Sequence, residues 1–131
     1  VMTSNGLIGM VCEIAPNYAK VATILSDEIN VGVMTFDSKV TGILDNDIKN
    51  ANEGNCLMSY ITKDSGIKKG EIVKSVAGVV FPGNLLIGTV SKVYDDENGL
   101  SVHAVIKPAV DVRTVTDCVV ITDFKGQGVV D

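Results

Sequence analysis

At 131 residues with 46% apolar side chains, the chain is long enough to form one compact domain or two small lobes around a real core, which excludes a disordered chain. A formal charge of −5 leaves no basic stripe for a phosphate backbone, which excludes nucleic acid as a partner. The longest strongly apolar run, residues 76–81, is far too short to cross a bilayer, and with 5% aromatics and 13 Gly the apolar content is mostly Val and Ile, the vocabulary of short strands and tight turns.

The chain opens on VMTSNGLIGMV, and residues 80–90, VFPGNLLIGTV, repeat the phrase without a gap. Val1 aligns with Val80, Asn5 with Asn84, Leu7 with Leu86, Ile8 with Ile87, Gly9 with Gly88 and Val11 with Val90. From Ile8 to Ile14 apolar residues recur with a period of two, Pro16-Asn17 breaks the run, and residues 20–25 (KVATIL) return as the second arm of a hairpin. One helical turn is expected at 26–29, then strands at 31–36 and 40–44. Residues 46–55 (NDIKNANEGN) are the most polar and turn-rich stretch and read as a mobile loop. Strands follow at 56–62 and, after the loop 64–70, at 71–76. The clearest hairpin pairs 86–94 with 100–107 across DDENG, residues 95–99. A second helical turn is expected at 111–116 after Pro108, and a last strand at 118–122. Many short strands separated by turn residues predict an all-β protein built as a closed barrel or sandwich.

A glycine inside a strand leaves room for a second backbone or a sharp bend, as at the corners of small barrels. Gly9 and Gly88 are therefore expected in equivalent places of two lobes, residues 1–65 and 66–131, and Gly88→Val is expected to cost on the order of 1–3 kcal/mol. The three cysteines, Cys12, Cys56 and Cys118, show no CxxC, and Cys12 and Cys118 sit in apolar segments where a small buried hydrophobe is expected.

Little in the sequence supports catalysis. The one histidine, His103, lies in LSVHAVIK, where Leu100, Val102, Ala104 and Ile106 share one face and His103 shares the other with Ser101. It reads as an ordinary half-exposed strand residue, with no carboxylate expected within its reach together with a Ser or Cys. Asp95-Asp96-Glu97 lacks the alternating oxygens around a glycine that a calcium loop needs and reads as a solvated hairpin tip. There is no GxGxxG, no Walker loop, no metal-spaced His/Cys cluster and no lysine in a lipoyl-type setting, so no catalytic residue, metal or cofactor is expected.

Residues 66–90, GIKKGEIVKSVAGVVFPGNLLIGTV, are more specific. Gly-Glu-Ile-Val, a Ser, GVVFP, a Gly and LLIGTV resemble the signature of the rod shape-determining protein MreC family, roughly GDxVvTSGxxGvFPxGxxIGxV. The opening SNGLIGMVCEIAPNYAKVATILSD is similar to that family's GLVGxVxEVxxxxSxVxLxTD, TGILDN to its RGIL-type turn, SYITKDSGIKKGE to its YVPxDxxIKxGD, and IKPAVDVRTVTDCVVI to its KPxADxxxLxxVxVI. These matches run in order over essentially the whole chain. Lys74-Ser75-Val76 stands where the family has Thr-Ser-Gly, Glu71 stands for the usual Asp, and the stretch before the final IG is about one residue shorter.

The resemblance implies two small β-barrels, reminiscent of trypsin-like proteases but without a catalytic set. It implies the distal part of an extracytoplasmic β-domain, whose membrane anchor, coiled coil and first strands would precede this chain. It further implies a non-enzymatic scaffold that links the actin-like MreB system to peptidoglycan synthesis at the cell membrane. The implied partners are the elongation transpeptidase of the penicillin-binding class, other shape-determining membrane proteins and further copies of itself. The rival readings are an adaptor module of an export complex built on lipoyl-like hairpins, which would form one contiguous β-sandwich, and a catalytically dead remnant of a trypsin-like barrel enzyme. Within the repeat, Phe81, Pro82 and Leu85 form the candidate partner surface, with Pro82 expected to interrupt or edge the sheet. Phe81 is either a core plug or an exposed anchor there.

Overall fold

The computed structural model describes residues 1–78, 81–124 and 127. Its strands are β1 (Met2–Thr3), β2 (Gly6–Leu7), β3 (Gly9–Ala15), β4 (Tyr18–Thr23), β5 (Val31–Thr35), β6 (Thr41–Leu44), β7 (Cys56–Thr62), β8 (Ile72–Ser75), β9 (Leu86–Asp95) and β10 (Ser101–Pro108), with one short helix, α1 (Ile48–Asn52). Six strands close into a barrel in the order β10-β7-β6-β5-β8-β9, every neighbouring pair antiparallel, while β1–β2 and β3–β4 form separate two-stranded sheets. The chain is thus nearly all-β, as its composition predicts. The closed barrel draws β5–β7 from before residue 65 and β8–β10 from after it.

Alternation builds the barrel core. Along β5, Val31, Val33 and Thr35 are buried while Gly32 and Met34 face outward. In β7 the inward set begins as Cys56 and Met58 and then jumps to Ile61, because Tyr60 takes a left-handed φ of 62° and the register against β10 shifts at that point. This is a bulge: one extra residue swaps the parity of the faces. Val73, Ile87, Val90, Ala104 and Ile106 complete the interior, and Leu7, Ile24, Ile29 and Phe81 pack on the same continuous cluster. Each fully buried Val or Ile contributes about 1.5–3 kcal/mol relative to an exposed one, so this cluster is the main stabilising term.

The turns depart from expectation in three places. Residues 26–29 and 111–116 are turns rather than helical, and the one helix lies within the polar stretch read as a loop. Asp47 explains it: its carboxylate accepts the Asn50 backbone N–H at 2.8 Å and the Asn50 side-chain amide at 2.9 Å, an N-cap that closes a single turn. The last expected strand reduces to one bridge, Val119 exchanging backbone hydrogen bonds of 2.9 and 2.7 Å with Met2. Two cysteines depart from expectation. Cys12 and Cys118 are exposed, and Cys56 is fully buried, its thiol pushed up to about 12 by burial.

Candidate functional site

The repeated phrase places its two glycines alike, although Met2–Leu7 form a small hairpin and residues 81–85 a loop. Gly9 begins β3 opposite Thr23, and Gly88 lies near the start of β9 opposite Pro108. A Cβ on Gly9 would lie 2.7 Å from Thr23 Cα and 2.9 Å from the Ala22 carbonyl carbon. On Gly88 it would lie 2.8 Å from the Lys107 carbonyl carbon and 2.9 Å from Pro108 Cα. In both hairpins the partner backbone occupies the space a side chain would need. Val80, the first partner in the repeat, lies outside the described residues, as does Val79.

Between β8 and β9 the chain leaves the barrel, and Pro82 falls in this connection, where its missing N–H interrupts no ladder. Ser75 holds the loop in place. Its hydroxyl donates to the Pro82 carbonyl at 2.8 Å and accepts the Leu85 N–H at 2.9 Å, while the Ser75 carbonyl accepts the Asn84 N–H at 2.8 Å. Phe81 is only 8% exposed and belongs to the core cluster, as a plug would, and it also lines the groove beside Pro82 and Leu85. Its burial follows from this staple, which draws the loop back over the end of the barrel. Pro82 and Leu85 remain half-buried and, with Leu7, Met10, Val11 and Ile121, line an apolar groove of about 330 Å³ between the barrel and the β3–β4 hairpin.

The second candidate surrounds His103. Its Nδ1 lies 2.7 Å from Asp96 Oδ1, the Ser101 hydroxyl donates to Asp96 Oδ2, and the Tyr94 ring stacks on the imidazole at 5.2 Å between centroids. A carboxylate therefore does sit within reach of His103 together with a serine, contrary to expectation. The hairpin explains it: Asp96 N–H donates to the Ser101 carbonyl at 3.0 Å, so the first loop residue is folded onto the side chains of the return strand. The order of the groups decides what they can do. In a hydrolytic triad the imidazole stands between serine and carboxylate and takes the serine's proton. Here the carboxylate stands in the middle. The serine's proton points at Asp96, and the hydrogen bonds from Ser101 and then His103 hold that carboxyl below its usual range, which makes it a weaker base. The arrangement ties a hairpin tip together and gives the serine a weakened carboxylate, not an imidazole, as its acceptor.

Asn46 is a structural residue that sequence reasoning missed. It is buried, its amide donates to the carbonyls of Ile24 and, at 3.1 Å, Ser26, and its Oδ1 accepts the Leu57 N–H at 2.9 Å. It fastens the exit of β4 to β7 of the barrel. An asparagine opening a polar stretch gave no signal of this, because its partners lie 11 to 22 residues away.

A barrel whose entry hairpin begins with the same glycine phrase as one of its own strands, and whose loop is stapled by the signature serine, can be compared with known proteins. The barrel core of the rod shape-determining protein MreC matches residues 1–122. The chain belongs to this family. The cell shape-determining protein MreC of Listeria monocytogenes is 30% identical over an alignment of 138 residues that covers all of this chain and 45% of that protein. A solved MreC structure from Listeria monocytogenes superposes with a TM-score of 0.74 at 30% identity, over 85% of this chain and 54% of the other. A Helicobacter pylori structure described as a complex between penicillin-binding protein PBP2 and MreC matches at TM-score 0.65 and 19% identity, over 82% of this chain and 64% of the matched chain, a likeness of fold alone. The chain spans about half the length of the first relatives it matches. Among the described residues no helix is long and apolar enough to cross a membrane.

Proposed function

We propose that this chain is a non-enzymatic scaffold domain of the bacterial cell-elongation machinery. In this reading it sits on the extracytoplasmic side of a membrane-anchored parent, holds a transpeptidase of the penicillin-binding class, and links peptidoglycan synthesis to the MreB system. The observation that carries the reading is the match of residues 1–122 to the MreC barrel core, a fold found in the Helicobacter pylori complex with PBP2. The order of Ser101, Asp96 and His103 favours a scaffold over an enzyme remnant, since it leaves no activated nucleophile. The closed barrel favours it over the export adaptor, for which one contiguous sandwich is expected.

The docking surface in this reading is the apolar groove beside Pro82 and Leu85, with Phe81 supporting it from below. The β3–β4 hairpin would stand as a small lobe of its own beside the barrel, whose strands come from both sides of residue 65, and further copies of the chain would associate through such surfaces. The test is a pull-down of the complete ectodomain with the ectodomain of the cognate transpeptidase. A complex that survives washing and weakens with Leu85→Ser, in a variant whose melting curve stays cooperative, is the expected result. Absence of any complex between two folded ectodomains would overturn the proposal.

A further inference from the structure

A third surface lies on the outer face of the β5–β8 pair, bordering the stapled loop at Ser75, Gly83 and Asn84. Phe36 follows β5 directly and is 51% exposed, unusual for a phenylalanine. Two ammonium groups converge on its ring: Lys39 Nζ lies 4.8 Å and Lys74 Nζ 5.0 Å from the centroid. Among the described residues neither lysine is paired with a carboxylate, although the protein as a whole carries five more negative than positive charges. Asp37, two residues from Lys39, is exposed and makes no ion pair with it. Two like charges gathered on one ring repel each other, and cation–π attraction offsets this by only about 0.5–1 kcal/mol each at an exposed site.

The walls of the cleft are apolar. Met34, Val76 and Ala77 line a cavity of about 340 Å³ together with Phe36 and the two lysines. Val76 is also exposed, so an aromatic and a β-branched side chain stand open to solvent beside uncompensated positive charge. The backbone adds an independent sign. Lys39 and Asn84, both on this cavity, hold left-handed φ values of 58° and 64°, a conformation that favours glycine or asparagine. Asparagine suits its place. A lysine at φ 58° is disfavoured, and what it supplies there is an ammonium group over Phe36.

We propose that the Phe36–Lys39–Lys74 cleft is a docking site for an extended, acidic segment of a partner protein, in which carboxylates meet the two lysines while an adjacent aliphatic or aromatic side chain packs on Phe36 and Val76. Charge complementarity selects the occupant. A purely apolar segment would leave the two ammonium groups desolvated and unpaired, and a purely anionic polymer would not use the apolar walls. Both strands beneath the cleft already have two neighbours in the closed barrel, so recognition falls to side chains rather than to an added strand.

The probe is a capped, fluorescein-labelled peptide of alternating leucine and aspartate, read by anisotropy against the folded chain, with the asparagine version of the same peptide beside it. Lys39→Gly is the informative variant, because glycine relaxes φ 58° and the fold is retained as the ammonium is lost. Lys74→Gln removes the other charge, and Lys63→Gln, on a lysine outside the cleft, is the control. Each cleft variant should weaken the aspartate peptide about fivefold, the fold-change of an exposed charge pair near the upper end of its range. The asparagine peptide should bind more weakly and respond to neither variant, and added salt should weaken the aspartate peptide. Equal loss with Lys63→Gln would mean general charge attraction and would overturn the proposal. So would failure of the peptide to bind, indifference to both cleft variants, or phosphatidylglycerol vesicles binding through the same two lysines where the peptide does not.

Discussion

The β3–β4 and β9–β10 hairpins start from one phrase and end in opposite environments. Each opens with a glycine pressed against its partner's backbone, and each pairs antiparallel with a register shift partway along. From β9 and β10, Ile87, Val90, Val102, Ala104, Val105 and Ile106 are buried, because β7 and β8 flank the pair and close the barrel. From β3 and β4 only Gly9 and Ala22 are buried, and Cys12, Ile14, Tyr18 and Val21 are exposed. Local pattern set the hairpin in both cases; tertiary neighbours alone decided whether the alternating face became a core.

The largest effect should fall on the glycines. Gly88→Ala places a methyl against the Lys107 carbonyl and Pro108 backbone inside a closed barrel, where neither strand can shift without opening a second seam. The expected loss is about 4 kcal/mol or more, above the 1–3 kcal/mol that sequence alone suggested even for the larger Gly88→Val. Gly9→Ala meets a similar clash in a sheet of only two strands, which can slide, and should cost about half as much. Urea unfolding of both variants checks this. Equal losses would mean that the β3–β4 hairpin is as constrained as the barrel.

Phe81→Ala comes next, at about 3 kcal/mol or more, the usual cost of truncating a core phenylalanine. Phe81 closes the barrel side of the comparison, so the melting temperature should fall clearly. An unchanged melting temperature would return Phe81 to the partner surface.

Legibility in the sequence follows the same divide. Eight strands were readable from period-two alternation, and Gly9 and Gly88 from the repeat, because those signals are local. The two-residue strands β1 and β2 carry too few residues to show a period. The exposure of Cys12 was hidden, since an alternating apolar strand reads alike whether or not a second layer covers it. Asp96 was visible as a loop carboxylate, yet its grip on Ser101 and His103 depends on where a five-residue loop folds back. Phe36, Lys39 and Lys74 gave almost no signal, since the two lysines are 35 positions apart and only the pairing of β5 with β8 brings them together.

Asn46→Ala tests the fastening between the two regions. It removes the donor to the Ile24 and Ser26 carbonyls and the acceptor of the Leu57 N–H, leaving buried backbone groups without a partner. The expected cost is about 2–3 kcal/mol. Amide exchange should quicken first in β4 and at Leu57. Uniform quickening throughout the barrel would show that Asn46 belongs to the global core instead of joining two parts.

Glu71 gives the comparison a pH dependence. Burial pushes its carboxyl up, but hydrogen bonds from Ser38, at 2.9 Å from the backbone N–H, and from the Lys68 N–H at 2.8 Å outweigh it and hold the group below its ordinary value. A depressed native pKa stabilises the fold above the unfolded-state pKa of about 4.3, and the contribution is lost as pH falls from there through the native value. Wild-type melting temperature should therefore drop over that acid window, and Glu71→Gln should flatten the part due to this site. Exchange in β3 and β4 should not follow the same titration, as Glu71 touches the turns at Ser38 and Lys68 and no part of that hairpin. A parallel slope in the variant would remove Glu71 as the cause.

The smallest effect is the sharpest test of the divide. Ile14 alternates in step with Ile8 and Met10, so pattern alone makes it a core residue, yet it is 81% exposed near the tip of β3. Ile14→Ser in this chain should change unfolding free energy by no more than about 0.5 kcal/mol, as for other exposed positions. Ile106→Ala, in the equally alternating β10 but fully buried, should cost about 2–5 kcal/mol. The ratio between these two measures how much of a strand's stabilising power comes from its neighbours. A cost above 1 kcal/mol for Ile14→Ser would mean that this face is covered in solution by a second copy of the chain. The same measurement repeated over a range of protein concentrations would confirm that cover, because only an intermolecular contact varies with concentration.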